Sequence, residues 1–281
     1  MSMVALIDAD ILLYEIGFAA QQKTEEGLIL KSVEEVNEMV DERIKEICAA
    51  VYATAPPKLF ITGKGNFRHA VAKSREYKGN RKQIKPHYYS YIKAYLQAQW
   101  GAVVVDGMEA DDALCIEQTR SLRERNTIIC SRDKDLKQCP GFHYTWECGR
   151  QGSWGPAWVE DIGSLVLRGP KKLTGTGSLF FYSQLLTGDS TDTYDGLQGC
   201  GPIRAFNILD GASSEREMYE RVLAAYKAKY GEEAEERLYE QAQLAWMIRE
   251  VDDEGNPVFW TRPEQGVGGV SGDALEKGEG Q

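Results

Sequence analysis

Val103-Val104-Val105-Asp106-Gly107-Met108-Glu109-Ala110-Asp111-Asp112, followed by a helix-like run and then by Ile128-Ile129-Cys130-Ser131-Arg132-Asp133-Lys134-Asp135-Leu136, decides the reading of this chain. Each half is a short β-branched apolar run that ends abruptly in acids. Continuous apolar runs of this length are what parallel strands buried on both faces look like. The acids then fall beyond the carboxyl ends of two strands, expected to be neighbours, where open α/β sheets bind ligands. Like charges a few ångströms apart repel by several kcal/mol at intermediate dielectric, on the order of 4 kcal/mol at 4 Å. Hard divalent cations held by oxygen ligands would neutralise them. Read one at a time, Glu109, Asp111 and Asp112 would pass as ordinary acids in the first turn of a helix.

A third run lies at the start of the chain. Val4-Ala5-Leu6-Ile7 reads as a buried strand with Asp8 directly after it, which adds a carboxylate to the same sheet edge if the sheet is parallel. Asp10, before the apolar run Ile11 to Tyr14, reads equally well as a helix-start residue. Ser32 and Glu35 form a capping box, and Val33, Val36, Val40, Ile44, Ile47 and Val51 then recur at helical spacing. Pro56-Pro57 stops that helix and Lys58 to Ile61 is the next strand, so β-α-β alternation predicts a right-handed, mostly parallel sheet.

The chain has 281 residues and a net charge of −10, enough for one large domain with a smaller one. The acidity argues against a general nucleic-acid coat and against anionic membranes. Against it stands Lys64 to Lys93, with nine cations, a single acid (Glu76) and interleaved aromatics, a combination suited to a phosphate backbone. Six scattered cysteines without a Cys-x-x-Cys pair predict reduced thiols and a cytoplasmic setting. Cys139, His143 and Cys148 match no usual zinc spacing. The sequence shows no signal peptide and no run of transmembrane length.

Pro86 with Tyr88 to Tyr95 predicts a helix, as does Asp111 to about Arg125, and His143 to Trp146 a short strand. Gly149 to Thr176 reads as loop-rich and holds the expected domain boundary, giving a core at 1–165, a helical part at 166–263 and a disordered tail at 264–281. Ser178 to Leu186 reads as a helix, followed by Gly188-Asp189-Ser190-Thr191-Asp192, with two acids three apart. Gly196-Leu197-Gln198-Gly199-Cys200-Gly201-Pro202 then precedes another helix, leaving backbone N–H groups for an anion. Two charged helices, 215–230 and 232–249, and a last strand at Pro257 to Trp260 complete the expected elements.

Taken together, Asp8, Tyr77-Lys78-Gly79-Asn80-Arg81, Glu109-Ala110-Asp111-Asp112, Asp133-Lys134-Asp135, Gly188 to Asp192 and the Gly-rich turn resemble, in order and spacing, the 5′ nuclease family of flap endonucleases and 5′→3′ exonucleases. The likeness runs from about residue 4 to 263 and looks nearest to the exonucleases of short-tailed bacteriophages. It implies a PIN-like α/β core, with a helical subdomain gripping duplex DNA through Gly199, Cys200, Gly201 and Arg204. It implies two Mg²⁺ ions, with Mn²⁺ able to substitute. Asp8, Glu109, Asp111 and Asp112 would surround the first, Asp133 would lie between them, and Asp135, Asp189 and Asp192 would surround the second. Lys78 and Arg81 match the family's basic residues near the scissile phosphate, and three positions apart they would share a face on a helix. The implied partners are DNA with a 5′ end, nick or flap, and RNA–DNA hybrid, with no membrane. Where the family carries an Asp after the second strand, this chain reads Thr62-Gly63.

Three other readings compete. A haloacid-dehalogenase-type phosphatase would use Asp8 as nucleophile and Asp10 as general acid, but leaves Glu109, Asp111, Asp112, Asp133 and the basic stretch idle. A non-catalytic DNA-binding module, built on the Gly-rich turn and basic stretch, gives no reason for eight converging carboxylates. A PIN-type ribonuclease would not need the Gly-rich helical module.

Overall fold

The computed structural model describes residues 2–80 and 84–263. A six-stranded sheet is built from β1 (Val4–Asp8), β4 (Lys58–Thr62), β5 (Val103–Val105), β6 (Thr127–Cys130), β7 (Gly141–Thr145) and β8 (Trp154–Val159) in the order β5-β4-β1-β6-β7-β8. All neighbours run parallel except β8, which is antiparallel to β7. The expectation that β5 and β6 are neighbours is corrected here, because β4 and β1 stand between them. Their acids still meet, because α5 (Ala110–Arg120) starts beside the carboxyl ends of the central strands and runs back behind the sheet.

Alternation along the strands sorts the two faces. Ala5, Ile7, Leu59, Ile61, Ile128 and Cys130 point to one side, where α1 (Ala9–Ala19), α2 (Val33–Ala50) and α4 (Tyr89–Trp100) cover them. Leu6, Phe60 and Ile129 point to the other, against Leu114 and Cys115 of α5 and against Met247. The Ser32–Glu35 capping box forms as expected, with Glu35 N–H donating to Ser32 Oγ at 3.2 Å and Ser32 N–H to Glu35 Oε2 at 2.8 Å. A small hairpin, β2 (Gln21–Thr24) and β3 (Gly27–Leu30), links α1 to α2. Among the described residues no helix is long and apolar enough to cross a membrane.

A second core lies in the C-terminal half, where α6 (Gly177–Thr187), α7 (Pro202–Leu209), α8 (Glu215–Tyr230) and α9 (Ala234–Ala245) pack around Phe181, Tyr182, Leu185, Val222 and Tyr226. The loop-rich expectation for 149–176 is corrected, because β8 and the hairpin β9 (Ser164–Leu167) with β10 (Leu173–Thr176) lie there. Leu165 and Leu173 of that hairpin pack on the helical core. The expected last strand at 257–260 reduces to an isolated bridge between Val251 and Pro257. The tail from residue 264 lies outside the described residues.

Three further differences have local causes. α5 stops at Arg120, short of Arg125, where Ser121 and Leu122 switch to i−3 turn bonds. α9 stops at Ala245 rather than Arg249, because buried polar groups of the first half capture the next residues. The Leu244 and Trp246 carbonyls accept from Arg68 of the short helix α3 (Arg68–Val71), at 3.1 and 2.6 Å, and Ile248 N–H donates to Asp112 at 2.9 Å. Cys115 and Cys139 form a disulfide, so not all six cysteines are free thiols as expected. The fold places α5 and the turn after β6 side by side, and no spacing rule reveals that pairing.

Candidate active site

The three central strands β4, β1 and β6 lead to Thr62, Asp8 and Asp133, which line one cleft of about 1080 Å³. Asp8 closes β1 and is 3% exposed. Its Oδ2 accepts from Ser131 Oγ at 2.7 Å, while its Oδ1 is buried without a partner. Burial, with repulsion from Asp10 and Asp133, raises its carboxyl to about 8 against the Ser131 bond. Asp10, in the first turn of α1, accepts the Thr62 N–H at 3.1 Å on both oxygens. Burial raises its pKa, and Glu109 adds repulsion. Thr62 stands at the end of β4, where the family resemblance would put an Asp, and its Oγ1 accepts Ala110 N–H at 2.9 Å. Thr62 therefore ties Asp10 to the start of α5. Gly63 beside it leaves no room for a side chain, because a Cβ there would run into Asp106 and the Val105 carbonyl.

From α5 come Glu109 and Asp111. Glu109 accepts from Asn66 Nδ2 at 2.9 Å, from Tyr77 Oη at 3.3 Å and from Lys78 Nζ. Burial holds Asp111 well above the usual carboxylate range, and Asp8, Asp133 and Glu109 push the same way. Asp133, after β6, has its backbone N–H on Ser131 Oγ at 3.0 Å and a carboxylate oxygen on Asp135 N–H at 2.8 Å. It too is raised by burial, with Asp192 repelling it from the far side.

Beyond Asp133 a second acidic group follows. Asp135 opens a 3-10 turn and accepts from Gln184 Nε2 of α6 at 2.6 Å. Burial and repulsion from Asp133, Asp189 and Asp192 raise it to about 8, with Lys134 opposing. Asp189 takes Lys134 Nζ at 2.5 Å and Thr191 N–H at 2.6 Å. Burial pushes its pKa up, but these partners outweigh it and the net shift is downward. Asp192 accepts from Tyr77 Oη at 3.0 Å and lies 4.0 Å from Lys78 Nζ. Lys78 thus bridges the two acidic groups from a turn, where its φ is +55°.

One site residue is misplaced by sequence reasoning. Asp112 is fully buried beneath the cleft, with Arg68 Nη1 and Nη2 on its two oxygens at 2.7 and 2.8 Å and the N–H of Glu109 on Oδ2 at 3.0 Å. An acid with its oxygens committed in this way holds the start of α5 and has no oxygen left for an ion. Arg68 leaves the basic surface for the same reason. Other members of the basic stretch are also spent on protein groups: Lys73 on Glu236, Arg75 on Asp195, and the Tyr88 and Tyr91 hydroxyls on Lys31 O and Asn37. Arg81 lies outside the described residues.

In the Gly-rich turn, Gly199 has a φ of +79° and Gly201 is the N-cap of α7, with open space where a Cβ would stand. Gly201 and Arg204 are exposed. Cys200 departs from expectation, because its N–H is already bonded to the Leu197 carbonyl at 2.9 Å and its thiol is buried. The residues that sequence reasoning did not assign to the site are Asp10, Ser131, Asn66 and Tyr77, all bonded into the acidic groups. Asp10 carried a signal, two positions beyond a strand-terminal acid, and Tyr77 opened one of the quoted motifs.

Among the described residues no three acids, histidines or cysteines already stand as a metal cage. Lys78 and Lys134 sit on Glu109 and Asp189 instead. The donor set nevertheless suits hard divalent ions: oxygen only, with Asp8 Oδ1 buried and unpartnered and four acids raised by burial and mutual repulsion.

A parallel sheet with an acidic cleft at its carboxyl edge defines a resolvase- or PIN-like nuclease core. Residues 3–148 match the sequence model of the 5′-3′ exonuclease N-terminal, resolvase-like domain, and the chain belongs to that family. No curated protein matches it by sequence. Among solved structures it is similar to the bacteriophage T5 D15 flap endonuclease, in a pseudo-enzyme–product complex with DNA and metal ions. The identity there is 14% and the TM-score 0.54, covering 86% of this chain and 98% of that one. A mutant T5 5′-exonuclease is 12% identical with a TM-score of 0.50, covering 88% and 100%. At such identities the likeness carries the fold.

Proposed function

We propose that this 5′ nuclease hydrolyses phosphodiester bonds of DNA at or near a 5′ end, nick or flap, leaves a 5′-phosphate, and also accepts RNA paired to DNA. The observation that carries this is the acid gathered in one cleft, with Asp8 Oδ1 buried and unpartnered: Asp8, Asp111, Asp133 and Asp135 all rise above their ordinary range because burial and mutual repulsion outweigh the partners they have. We assign Asp8, Asp10, Glu109 and Asp111 to one Mg²⁺, Asp133 to the space between, and Asp135, Asp189 and Asp192 to a second, with Mn²⁺ as a replacement. When bound, such ions lower the pKa of a water and stabilise charge on the leaving oxygen. Lys78, reaching both acidic groups, is suited to orient a phosphate oxygen, with Arg81 as its intended companion. The helical half, 166–263, would grip duplex through Gly199, Gly201 and Arg204, and the setting would be the cytoplasm.

The phosphatase alternative gains no support, because Glu109, Asp111 and Asp133 line the same cleft as Asp8 and Asp10 and that reading leaves them idle. The test is cleavage of end-labelled nicked, flapped and RNA-primed duplexes in Mg²⁺, beside Asp133→Ala. We expect that variant to lose cleavage and keep most DNA binding. Turnover near the parent rate by Asp133→Ala, or full activity in excess EDTA, would remove the two-metal reading. Binding without cleavage by the unaltered chain would favour the non-catalytic module.

A further inference from the structure

Arg132 precedes Asp133 at the end of β6 and lines the acidic cleft. Its Nη2 donates to the Cys148 carbonyl at 3.4 Å and to the Gln151 side-chain oxygen. Cys148 and Gln151 exchange backbone hydrogen bonds of 3.0 and 3.1 Å, closing a small turn that holds the guanidinium from one side. Nε is buried and has no partner. Asp8, Asp10, Glu15, Asp111 and Asp133 line the same cleft, yet among the described residues no acid pairs with Arg132.

Its neighbours behave differently. Lys78 pairs with Glu109, Arg68 with Asp112 and Lys134 with Asp189, each with an acid of this chain. A guanidinium carries five donors in a rigid fork and cannot discard its proton. Here Nη2 alone has protein partners and Nε is buried, so the guanidinium keeps its charge and its Nη1 donors for an anion from outside. The wall position beside Asp133 fixes which anion can arrive: one belonging to whatever strand crosses the acidic floor.

We propose that Arg132, set by the Cys148–Gln151 turn, is a phosphate seat. It takes a non-bridging oxygen of a phosphodiester flanking the one that is cut, on the β6–β7 side of the cleft. This rests on the nuclease reading above and adds to it a contact made to uncut substrate, separate from the acids. Arg132 therefore acts in binding, and its loss changes affinity and salt response rather than the rate once substrate is bound.

The test is fluorescence anisotropy of a labelled nicked hairpin duplex, titrated over a range of salt, on an Asp133→Ala background that prevents cleavage. Arg132→Gln is expected to bind about tenfold more weakly, the order of one charge-assisted hydrogen bond. Its salt slope should fall by about one. Arg132→Lys should keep the slope but recover only part of the affinity, lacking the fork that Gln151 orients, and Gln151→Ala should show a smaller loss. In the otherwise unaltered chain, single-turnover cleavage by Arg132→Gln at saturating enzyme should stay within about twofold. An unchanged affinity and slope for Arg132→Gln overturns the seat, as does a fallen saturating rate at unchanged affinity. Should Arg132→Gln fail to fold, Arg132→Lys decides, and full affinity there overturns the proposal. A background chain that binds no duplex at all overturns the nuclease reading and the seat with it, whereas binding by the background equalled by the variant overturns the seat alone.

Discussion

Arg68 and Asp112 meet as a bidentate pair with both side chains fully buried, 2.7 and 2.8 Å apart at their two contacts. The pair joins three distant parts of the chain, since Arg68 also holds the Leu244 and Trp246 carbonyls and Asp112 also holds the N–H groups of Glu109 and Ile248. Geometry that joins the basic segment, the start of α5 and the C-terminal strap makes the pair a brace under the acids rather than part of them.

Asp112→Ala should therefore act on stability first. Removing one partner of a buried ion pair leaves an uncompensated charge and costs about 3–5 kcal/mol. A denaturant midpoint well below that of the parent is expected, with Asp112→Asn falling between because it keeps an acceptor. Were Asp112 a metal ligand instead, the midpoint in EDTA would stay put while the Mg²⁺ needed for cleavage rose.

The same pair marks where sequence reasoning stops. Asp8 and Asp133 were legible because each directly follows an apolar strand, and strand ends fix which edge of the sheet an acid meets. Asp112 stands one position from Asp111 in the same acidic run, and a helix start turns adjacent side chains in different directions. Only the position of Arg68, 44 residues away, shows which acid is braced and which faces the cleft. The strands between Trp154 and Thr176 were hidden for another reason, since glycines and prolines interrupt that stretch while the pairing partners of β8 and β9 supply the order. Tyr77 read as one of the aromatics interleaved in the basic stretch, yet it is 2% exposed and spends its hydroxyl on Glu109 and Asp192.

Acid strain in the cleft gives a pH dependence with a definite sign. Asp8 and Asp135 stand at about 8 against an ordinary value of 3.8. Between those values the folded chain binds more protons than the unfolded one, so its stability falls as pH rises through that window. The stabilising contribution is complete below 3.8 and gone above about 8. Asp189 is lowered, so its own loss comes at still lower pH, outside the window. In EDTA the melting temperature should drop between about pH 5.5 and about pH 8, and Mg²⁺ should raise it more at the higher pH, because a ligand of the folded state stabilises by mass action. A flat or rising profile in EDTA would mean that these acids are not in conflict.

Gly201 offers the cleanest probe of the duplex grip. It caps α7 at a φ of −81°, which any residue adopts, and a Cβ there meets nothing within 4 Å. Gly201→Val should therefore fold, losing about 1 kcal/mol because Val is a poor N-cap. That amounts to about 2–4 °C in melting temperature for a domain of roughly 150–250 residues. What the branched side chain does obstruct is approach of a phosphate to the exposed start of α7, where free N–H groups and the helix dipole favour an anion. Duplex affinity should fall roughly tenfold or more, the order of one hydrogen bond to a charged group. Cleavage of a substrate already bound should change much less. Gly199→Val is the contrasting case, since its φ of +79° strains any side chain and predicts lost stability as well. Equal losses by Gly201→Val on duplex and on very short single strands would point to a misfolded chain, and unchanged duplex binding would move the grip away from this turn.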